Sequence, residues 1–207
     1  MSLIMMVRQS HIFYRAPHDW YAEGVDVAAA LFAAVEFEGG IVDPACGRGS
    51  ILVAAGLRDI PAWGGDVVDR SDGEWPGCDE VVDFLTDDRP CDNIVSNPPY
   101  KGDIIWRFID HALAVATGRV AFLLPLRWAA SRTTAERLLR SPLESVLIVT
   151  PRPSIPPGAV VAKDPSARSG GSVDFAWYVW RRGHIGPAPI GWAFRDASIK
   201  PDKVPTC

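Results

Sequence analysis

Short apolar runs alternate along this chain with segments of helical periodicity, and this alternation limits the folds that it can adopt. Residues 25–37 carry apolar side chains at i, i+3, i+4 and i+7, and residues 103–116 repeat that pattern. Such alternation predicts an α/β fold with a mostly parallel sheet and helices on both faces. We predict seven strands, the last antiparallel because no helical pattern separates it from the sixth, at 41–43, 62–65, 80–85, 93–95, 120–124, 146–149 and 173–180.

The length of 207 residues suits one domain, which we place at 1–197. Residues 1–37 form an N-terminal segment and a helix in this prediction. Residues 152–172 are rich in proline, glycine, alanine and serine, which indicates a flexible flap without a helix. The remaining residues, 198–207, are expected to be an unstructured tail.

The composition favours a cytoplasmic protein without a metal site. The cysteines at 46, 78, 91 and 207 lack the CxxC spacing of a metal site. They are therefore interpreted as reduced thiols. No run of 18 apolar residues is present, so the sequence predicts no membrane span.

Charge is distributed unequally between the two halves of the chain. Residues 1–100 hold 6 basic and 17 acidic residues, whereas residues 101–207 hold 15 basic and 8 acidic ones. A basic half can hold a phosphate backbone even when the net charge is −4. The candidate contacts are Arg127, Arg132, Arg152 and Arg168, although the same charges could simply be solvated surface.

The strongest local signal is the segment Asp43-Pro44-Ala45-Cys46-Gly47-Arg48-Gly49-Ser50, between a predicted strand and a predicted helix. Glycines at such a bend allow positive φ and a close approach of the backbone to a ligand. The helix that follows adds unpaired N–H donors. The segment lacks GxGxxG and GxxxxGK[ST], which disfavours a nicotinamide cofactor and excludes a P-loop. An ordinary strand–helix turn is the alternative.

Two carboxylates follow at the ends of the next two predicted strands. Asp66 lies about twenty residues after the glycine turn, where a carboxylate can accept hydrogen bonds from ribose hydroxyls; Asp69 is an alternative. Asp83 could accept from an adenine amino group while Phe84 packs on the purine face. Each could instead be a loop aspartate, and Phe84 a core residue.

The segment Asn97-Pro98-Pro99-Tyr100 follows the fourth predicted strand. Proline has no N–H and keeps the preceding residue extended, so the backbone carbonyls remain free to accept hydrogen bonds. The Asn97 side-chain oxygen and the Pro98 carbonyl can both accept from one NH₂ group, and Tyr100 offers a flat face to the ring that carries it. A proline turn is the alternative, but the order of all these signals fits one ligand-binding architecture.

Together these segments resemble the class I S-adenosylmethionine-dependent amino-methyltransferases that modify adenine. The glycine turn resembles their motif I, and 97–100 their catalytic [DNS]-P-P-[YFW] motif. The resemblance covers roughly 15–182, and the order of the motifs is similar to the gamma-like order of small phage-borne DNA adenine methyltransferases. It implies the Rossmann-like fold of that class.

The resemblance also implies roles for individual residues. Asp43 and the Gly47 and Gly49 backbone, with Pro44 and Ala45 in the same motif, would hold the methionine part of S-adenosylmethionine. Asp66 would bind its ribose, and Asp83 with Phe84 its adenine. Residues 18–23, which include Trp20 and Tyr21, resemble the segment that closes over the cofactor, although Ala22-Glu23-Gly24 replaces the usual Thr-Pro type of sequence.

The predicted activity is methyl transfer to the exocyclic amino group of a nucleic-acid base, with Asn97, Pro98, Pro99 and Tyr100 gripping the amine. Adenine N6 in DNA is the favoured target, and no metal is required. An RNA amino-methyltransferase, a protein glutamine methyltransferase and an inactive cofactor-binding accessory protein are the alternatives. Long target-recognition domains are absent from the sequence, which predicts modest sequence discrimination.

Overall fold

A computed structural model describes residues 20–100, 102–164, 168 and 171–204 of the chain. Within them, one mixed sheet of eight strands carries helices on both faces. The strands are β1 (Ile41–Asp43), β2 (Ala62–Asp66), β3 (Glu80–Val81), β4 (Asn93–Ser96), β5 (Arg119–Pro125), β6 (Leu143–Thr150), β7 (Phe175–Arg181) and β8 (Ile190–Phe194). The helices are α1 (Val25–Ala34), α2 (Ser50–Gly56), α3 (Ile104–Val115), α4 (Arg132–Leu138) and α5 (Gly158–Val161), with 3-10 turns at Phe84–Thr86 and Leu126–Ala130.

The strand order across the sheet is β3-β2-β1-β4-β5-β7-β6-β8. β7 is antiparallel to both of its neighbours, β5 and β6, whereas the other neighbouring pairs are parallel. The carboxyl ends of β1, β2 and β4 therefore meet at one edge, which is where open α/β sheets bind ligands.

The core consists of two clusters, one on each face of the sheet. α1 and α2 pack on one face, and α3 and α4 on the other. Along β7, Trp177 and Val179 enter the first cluster, while Ala176, Tyr178 and Trp180 enter the second. Burial on both faces explains why this strand reads as a continuous apolar run.

The predicted count of seven strands was wrong, because β8 follows β7. The expected antiparallel last strand is β7, but the last strand among the described residues is β8, which pairs parallel with β6. β8 directs Ala193 into the core and leaves Ile190, Trp192 and Phe194 exposed. The large apolar side chains of this strand lie outside and its small one inside. Because this is the reverse of the pattern expected for a half-buried strand, the sequence analysis did not predict it.

Two further boundaries differ from the prediction. The third strand ends at Val81 rather than at residue 85, because the Asp83 side chain accepts from the Leu85 N–H (3.0 Å) and begins a 3-10 turn. The segment 152–172, expected to lack a helix, contains α5. Part of this segment, 165–167 and 169–170, lies outside the described residues.

The tail also differs from the expectation of an unstructured segment. Ile199 and Val204 pack against the first core cluster, and the Val25 N–H donates to the Pro201 carbonyl (3.2 Å). The tail therefore contacts the start of α1, and only 205–207 lie outside the described residues.

Candidate active site

A cavity of about 730 Å³ lies at the carboxyl ends of β1, β2 and β4. This volume is within the usual range for small-molecule sites. Twelve of the fourteen predicted site residues line it: Trp20, Tyr21, Pro44, Ala45, Gly47, Asp66, Asp83, Phe84, Asn97, Pro98, Pro99 and Tyr100. The structure thus brings the glycine turn and the Asn97–Tyr100 segment into one site. Gly49 and Asp43 do not line it.

The glycine turn is built by backbone hydrogen bonds. The Cys46 N–H donates to the Gly65 carbonyl (3.0 Å), and the Gly49 N–H donates to the Cys46 carbonyl (2.8 Å). Gly47 has φ +58°, and a Cβ there would lie 3.0 Å from the Trp20 ring, so glycine is needed for close packing against that ring. Gly49, predicted to bind the cofactor, instead turns the chain into α2 at φ +95° and lies against Pro76.

Asp43 is buried directly beneath the turn. Its Oδ1 accepts from the Ser96 hydroxyl (2.7 Å) and the Ala45 N–H (3.2 Å), whereas Oδ2 is buried without a hydrogen-bond partner among the described residues. Burial, followed by the nearby Glu23 carboxylate, raises the pKa of Asp43 well above its ordinary value. The environment of Asp43 therefore favours the neutral form of its carboxyl group.

Asp66, the predicted ribose ligand, accepts hydrogen bonds on both carboxylate oxygens. Oδ2 accepts from the Gly47 N–H (2.9 Å), and Oδ1 accepts from the Val68 N–H (3.1 Å) and Arg70 Nη1 (2.8 Å). The Arg70 guanidinium also lies 5.3 Å from the Trp20 ring centroid. Sequence reasoning missed Arg70, a cationic side chain in the cavity that pairs with the proposed ribose ligand.

Asp69, the alternative to Asp66, does not line the cavity. Its carboxylate accepts from the N–H (2.9 Å) and the hydroxyl (3.0 Å) of Ser71. These hydrogen bonds lower the pKa of Asp69 and keep it ionised in a surface turn. The structure therefore favours Asp66 of the two.

Asp83 and Phe84 form the wall of the cavity at the end of β3. Asp83 is exposed and caps the 3-10 turn, so its carboxylate is already held by the Leu85 N–H. Phe84 is buried against Phe108 and His111, with ring centroids 5.2 and 4.7 Å away. Its packing fixes the ring as a flat apolar wall rather than a mobile side chain.

Asn97 is fixed in orientation by three hydrogen bonds. Its Nδ2 donates to the Glu23 carboxylate (2.7 Å) and the Tyr21 carbonyl (2.9 Å), and its Oδ1 accepts from the Tyr100 hydroxyl. Burial raises the pKa of Tyr100 well above 10.0, so this hydroxyl remains a donor at neutral pH. No hydrogen bond between described residues uses the Pro98 carbonyl, which leaves it available as an acceptor.

Glu23 is, after Arg70, a second residue of this site that the sequence analysis did not assign. It is 5% exposed, and burial raises the pKa of its carboxyl group. Its one sequence signal was the departure from the Thr-Pro type pattern at 22–24. A carboxyl group is costly to bury unless it is hydrogen-bonded, and here it accepts from the Asn97 amide.

Residues 20–22 form one side of a short antiparallel ladder with 156–158. The Ala22 N–H donates to the Pro156 carbonyl (3.0 Å), the Gly158 N–H donates to the Trp20 carbonyl (2.8 Å), and Tyr21 bridges Pro157. The proline-rich segment therefore lies directly against Trp20 at the cavity wall. His18 and Asp19 of the predicted closing segment lie outside the described residues.

The predicted phosphate contacts have different surroundings. Arg168 is not on a basic surface, because its side chain is 6% exposed and pairs with Asp202. Arg152 pairs with Asp174 at the surface, and Arg132 with Glu136 within α4. Arg127 is exposed and makes no ion pair with a described residue.

Metal binding and membrane insertion both require features that can be looked for among the described residues. Among the described residues, no group of histidine, cysteine, aspartate and glutamate is arranged to hold a metal ion. In the same part of the chain, no helix is long and apolar enough to cross a membrane. Cys46, Cys78 and Cys91 are free thiols, and Cys207 lies outside the described residues.

The fold has counterparts among solved structures. No protein-family model matches the chain, and a search of curated proteins gives no significant match. Magnesium protoporphyrin IX methyltransferase from Synechocystis PCC 6803, solved with bound SAM, aligns with a TM-score of 0.54 at 15% identity over 77% of this chain and 78% of that one. The same enzyme with bound SAH gives 0.52 at 14% identity over 77% and 81%. The M protein of the type I restriction enzyme EcoKI gives 0.48 at 11% identity over 78% and 43%. The chain shares the α/β fold of the first of these methyltransferases.

Proposed function

We propose that this protein transfers a methyl group from S-adenosylmethionine to the exocyclic N6 amino group of adenine in DNA. The observation that carries the proposal is the position of Asn97–Tyr100. This segment opens into the same cavity as the glycine turn, so that an amine held there faces a ligand held by the turn.

The cavity has features that fit the cofactor. Asp43 lies buried beneath the turn, and its carboxylate would favour the positive charge that the cofactor carries on its sulfonium and amino groups. Gly47 gives the ligand close access to the backbone. Asp66 would accept from ribose hydroxyls in place of Arg70, and Asp83 with Phe84 would hold the adenine ring.

The cofactor supplies an electrophilic methyl group, and the residues of this chain prepare the amine that receives it. Asn97 Oδ1 accepts from Tyr100, and its second lone pair can accept one amine hydrogen. The Pro98 carbonyl accepts the other. Because Glu23 and the Tyr21 carbonyl hold the amide nitrogen, the oxygen must face the amine. Positioning of this kind accounts for much of the rate in group transfer.

The surface beside the cavity suits a nucleic-acid strand. Arg107 is exposed at the cavity wall, and Arg127 is exposed on the 3-10 turn after β5. Cationic side chains hold phosphates, so these two arginines are candidate contacts to a nucleic-acid backbone. The adenine must leave its stack to enter the cavity.

Incubation with methyl-labelled S-adenosylmethionine tests the proposal. Duplex DNA, single-stranded DNA, RNA and a glutamine-rich peptide serve as substrates, followed by digestion and chromatography. We expect label in N6-methyladenine from DNA and none with Asn97→Ala. Label only in RNA would move the target to RNA, and label in glutamine, or in none of the substrates, would overturn the proposal.

A further inference from the structure

The tail residue Asp202 lies between two buried arginines from distant parts of the chain. Its Oδ1 accepts from Arg48 of the glycine turn, and its Oδ2 accepts from Arg168 Nε (2.6 Å). The two arginine side chains are 7% and 6% exposed, and that of Asp202 is 13% exposed. One carboxylate therefore balances two buried positive charges, which would otherwise repel each other at high cost.

The remaining N–H groups of Arg168 donate to backbone carbonyls next to the active site. Its Nη1 donates to the carbonyls of Ala22 and Ser154, and its Nη2 donates to the Glu23 carbonyl (3.1 Å). A planar guanidinium donates in several fixed directions at once. Arg168 thus ties the proline-rich segment, the tail and residues 22–23 to one another.

The tail also contacts the same segment through its backbone. The Val25 N–H donates to the Pro201 carbonyl (3.2 Å), and a Cβ on Gly24 would lie 2.5 Å from the Pro201 side chain. Residues 22–25 are consequently held on one side by the tail. On the other side, the Glu23 side chain accepts from Asn97 (2.7 Å).

We propose that Asp202 is a positioning residue, which holds Arg168 and through it Glu23, so that the Asn97 amide keeps the orientation required for transfer. The inference rests on the proposed function for its catalytic consequence only. The contacts that lead from the tail to Asn97 are made by the side chains and backbone of this chain alone. Three segments far apart in sequence are joined at this carboxylate, and loss of its charge removes the ion pairs that join them.

The structural consequence can be measured without cofactor or substrate. In ¹H–¹⁵N spectra of the full chain, the side-chain amide pair of Asn97 is assigned by its loss in Asn97→Ala. We expect Asp202→Asn to shift or broaden this pair and Asp202→Glu to restore it in part. Asp196→Asn is the matched control, since Asp196 is an exposed carboxylate just before the tail that accepts from Ser198 (2.7 and 2.8 Å). An unchanged Asn97 pair in Asp202→Asn would overturn the inference.

A second variant covers the case in which Asp202→Asn does not fold. Arg168→Lys keeps a positive charge against Asp202 but loses the fork of donors to the carbonyls of Ala22 and Glu23. It should perturb the Asn97 pair in the same way. A folded Arg168→Lys protein with an unchanged pair would equally overturn the inference.

The catalytic consequence is tested by a double-mutant cycle. We expect Asp202→Asn to lower kcat on the order of 10²-fold, as small misplacements in an active site do. Because Asp202 acts through Glu23, the double variant with Glu23→Gln should lose no more than the worse single variant. Fully multiplicative losses would overturn the inference. If the wild-type protein transfers no methyl group, the proposed function fails, and the spectra still decide the coupling.

Discussion

The substitution Gly158→Ala adds one methyl group next to the Trp20 ring at the wall of the cavity. A Cβ at Gly158 would lie 1.9 Å from Cε2 of the Trp20 ring. Carbon atoms pack at about 3.5–4.0 Å, so the two groups must separate by roughly 1.5–2 Å. That displacement breaks the ladder between 20–22 and 156–158 and moves the Trp20 ring from the turn at Gly47.

The expected loss of cofactor affinity follows from the hydrogen bonds of this ladder. Its two backbone hydrogen bonds, from the Gly158 N–H to the Trp20 carbonyl and from the Ala22 N–H to the Pro156 carbonyl, span 2.8 and 3.0 Å. At about 0.5–1.5 kcal/mol each, their loss costs roughly 1–3 kcal/mol. If the ladder holds Trp20 at the wall of the cofactor site, calorimetry should show S-adenosylmethionine binding about 5- to 150-fold more weakly.

Gly56→Ala is the matched control. Gly56 ends α2, and, apart from its chain neighbours and the backbone of its own helix, no heavy atom of a described residue lies within 4 Å of the position of a Cβ there. Alanine there should leave cofactor affinity unchanged and stabilise the helix by up to about 1 kcal/mol. Unchanged affinity in Gly158→Ala, with Gly56→Ala behaving as expected, would refute a role of Trp20 and the ladder in cofactor binding.

Three further predictions concern the site and the surface beside it. Glu23→Gln should slow single-turnover transfer by about 10- to 150-fold, since a hydrogen bond to a charged group contributes roughly 1.5–3 kcal/mol to fixing Asn97; a wild-type rate would contradict this. The raised pKa of Asp43 gives stability that is present below about pH 4 and is lost as the pH rises through the folded-state pKa. The free energy of unfolding of the ligand-free protein should therefore fall less steeply with pH in Asp43→Asn, as urea titrations can show, and an unchanged slope would count against the buried charge. Arg107→Ala and Arg127→Ala should each reduce the slope of log affinity for DNA against log salt by about 1; unaltered slopes would remove these arginines from the interface.

Much of the fold could be predicted from the sequence because local patterns encode it. Apolar runs and helical stripes gave the parallel strands and the helices on both faces. β8 was not predicted because its exposed side chains are large and apolar, whereas its buried one is that of Ala193. The third strand was predicted to be longer than it is. The Asp83 side chain accepts a hydrogen bond that starts a 3-10 turn, and an apolar run in the sequence does not reveal such a bond.

The site could be predicted where its residues sit at strand ends, and not where they come together from distant segments. Gly47, Asp66 and Asn97 follow strands and line one cavity. Glu23 is 74 residues from Asn97, and Arg168 is 34 residues from Asp202. Burial decides the roles of such pairs, and burial depends on packing that no local pattern specifies. For that reason Arg168 was assigned to a phosphate surface, although it lies inside the protein.

The central claim is that Asn97 grips the amine that receives the methyl group. Single-turnover transfer to DNA by Asn97→Ala tests it most directly, with cofactor affinity measured on the same preparation. Removing one of two preorganised acceptors should lower the rate by about 10²–10³, while affinity for S-adenosylmethionine changes far less because Asp43, Asp66 and Asp83 remain. A near-normal rate in Asn97→Ala with the cofactor bound would show that Asn97–Tyr100 is an ordinary proline turn and would contradict the proposed mechanism.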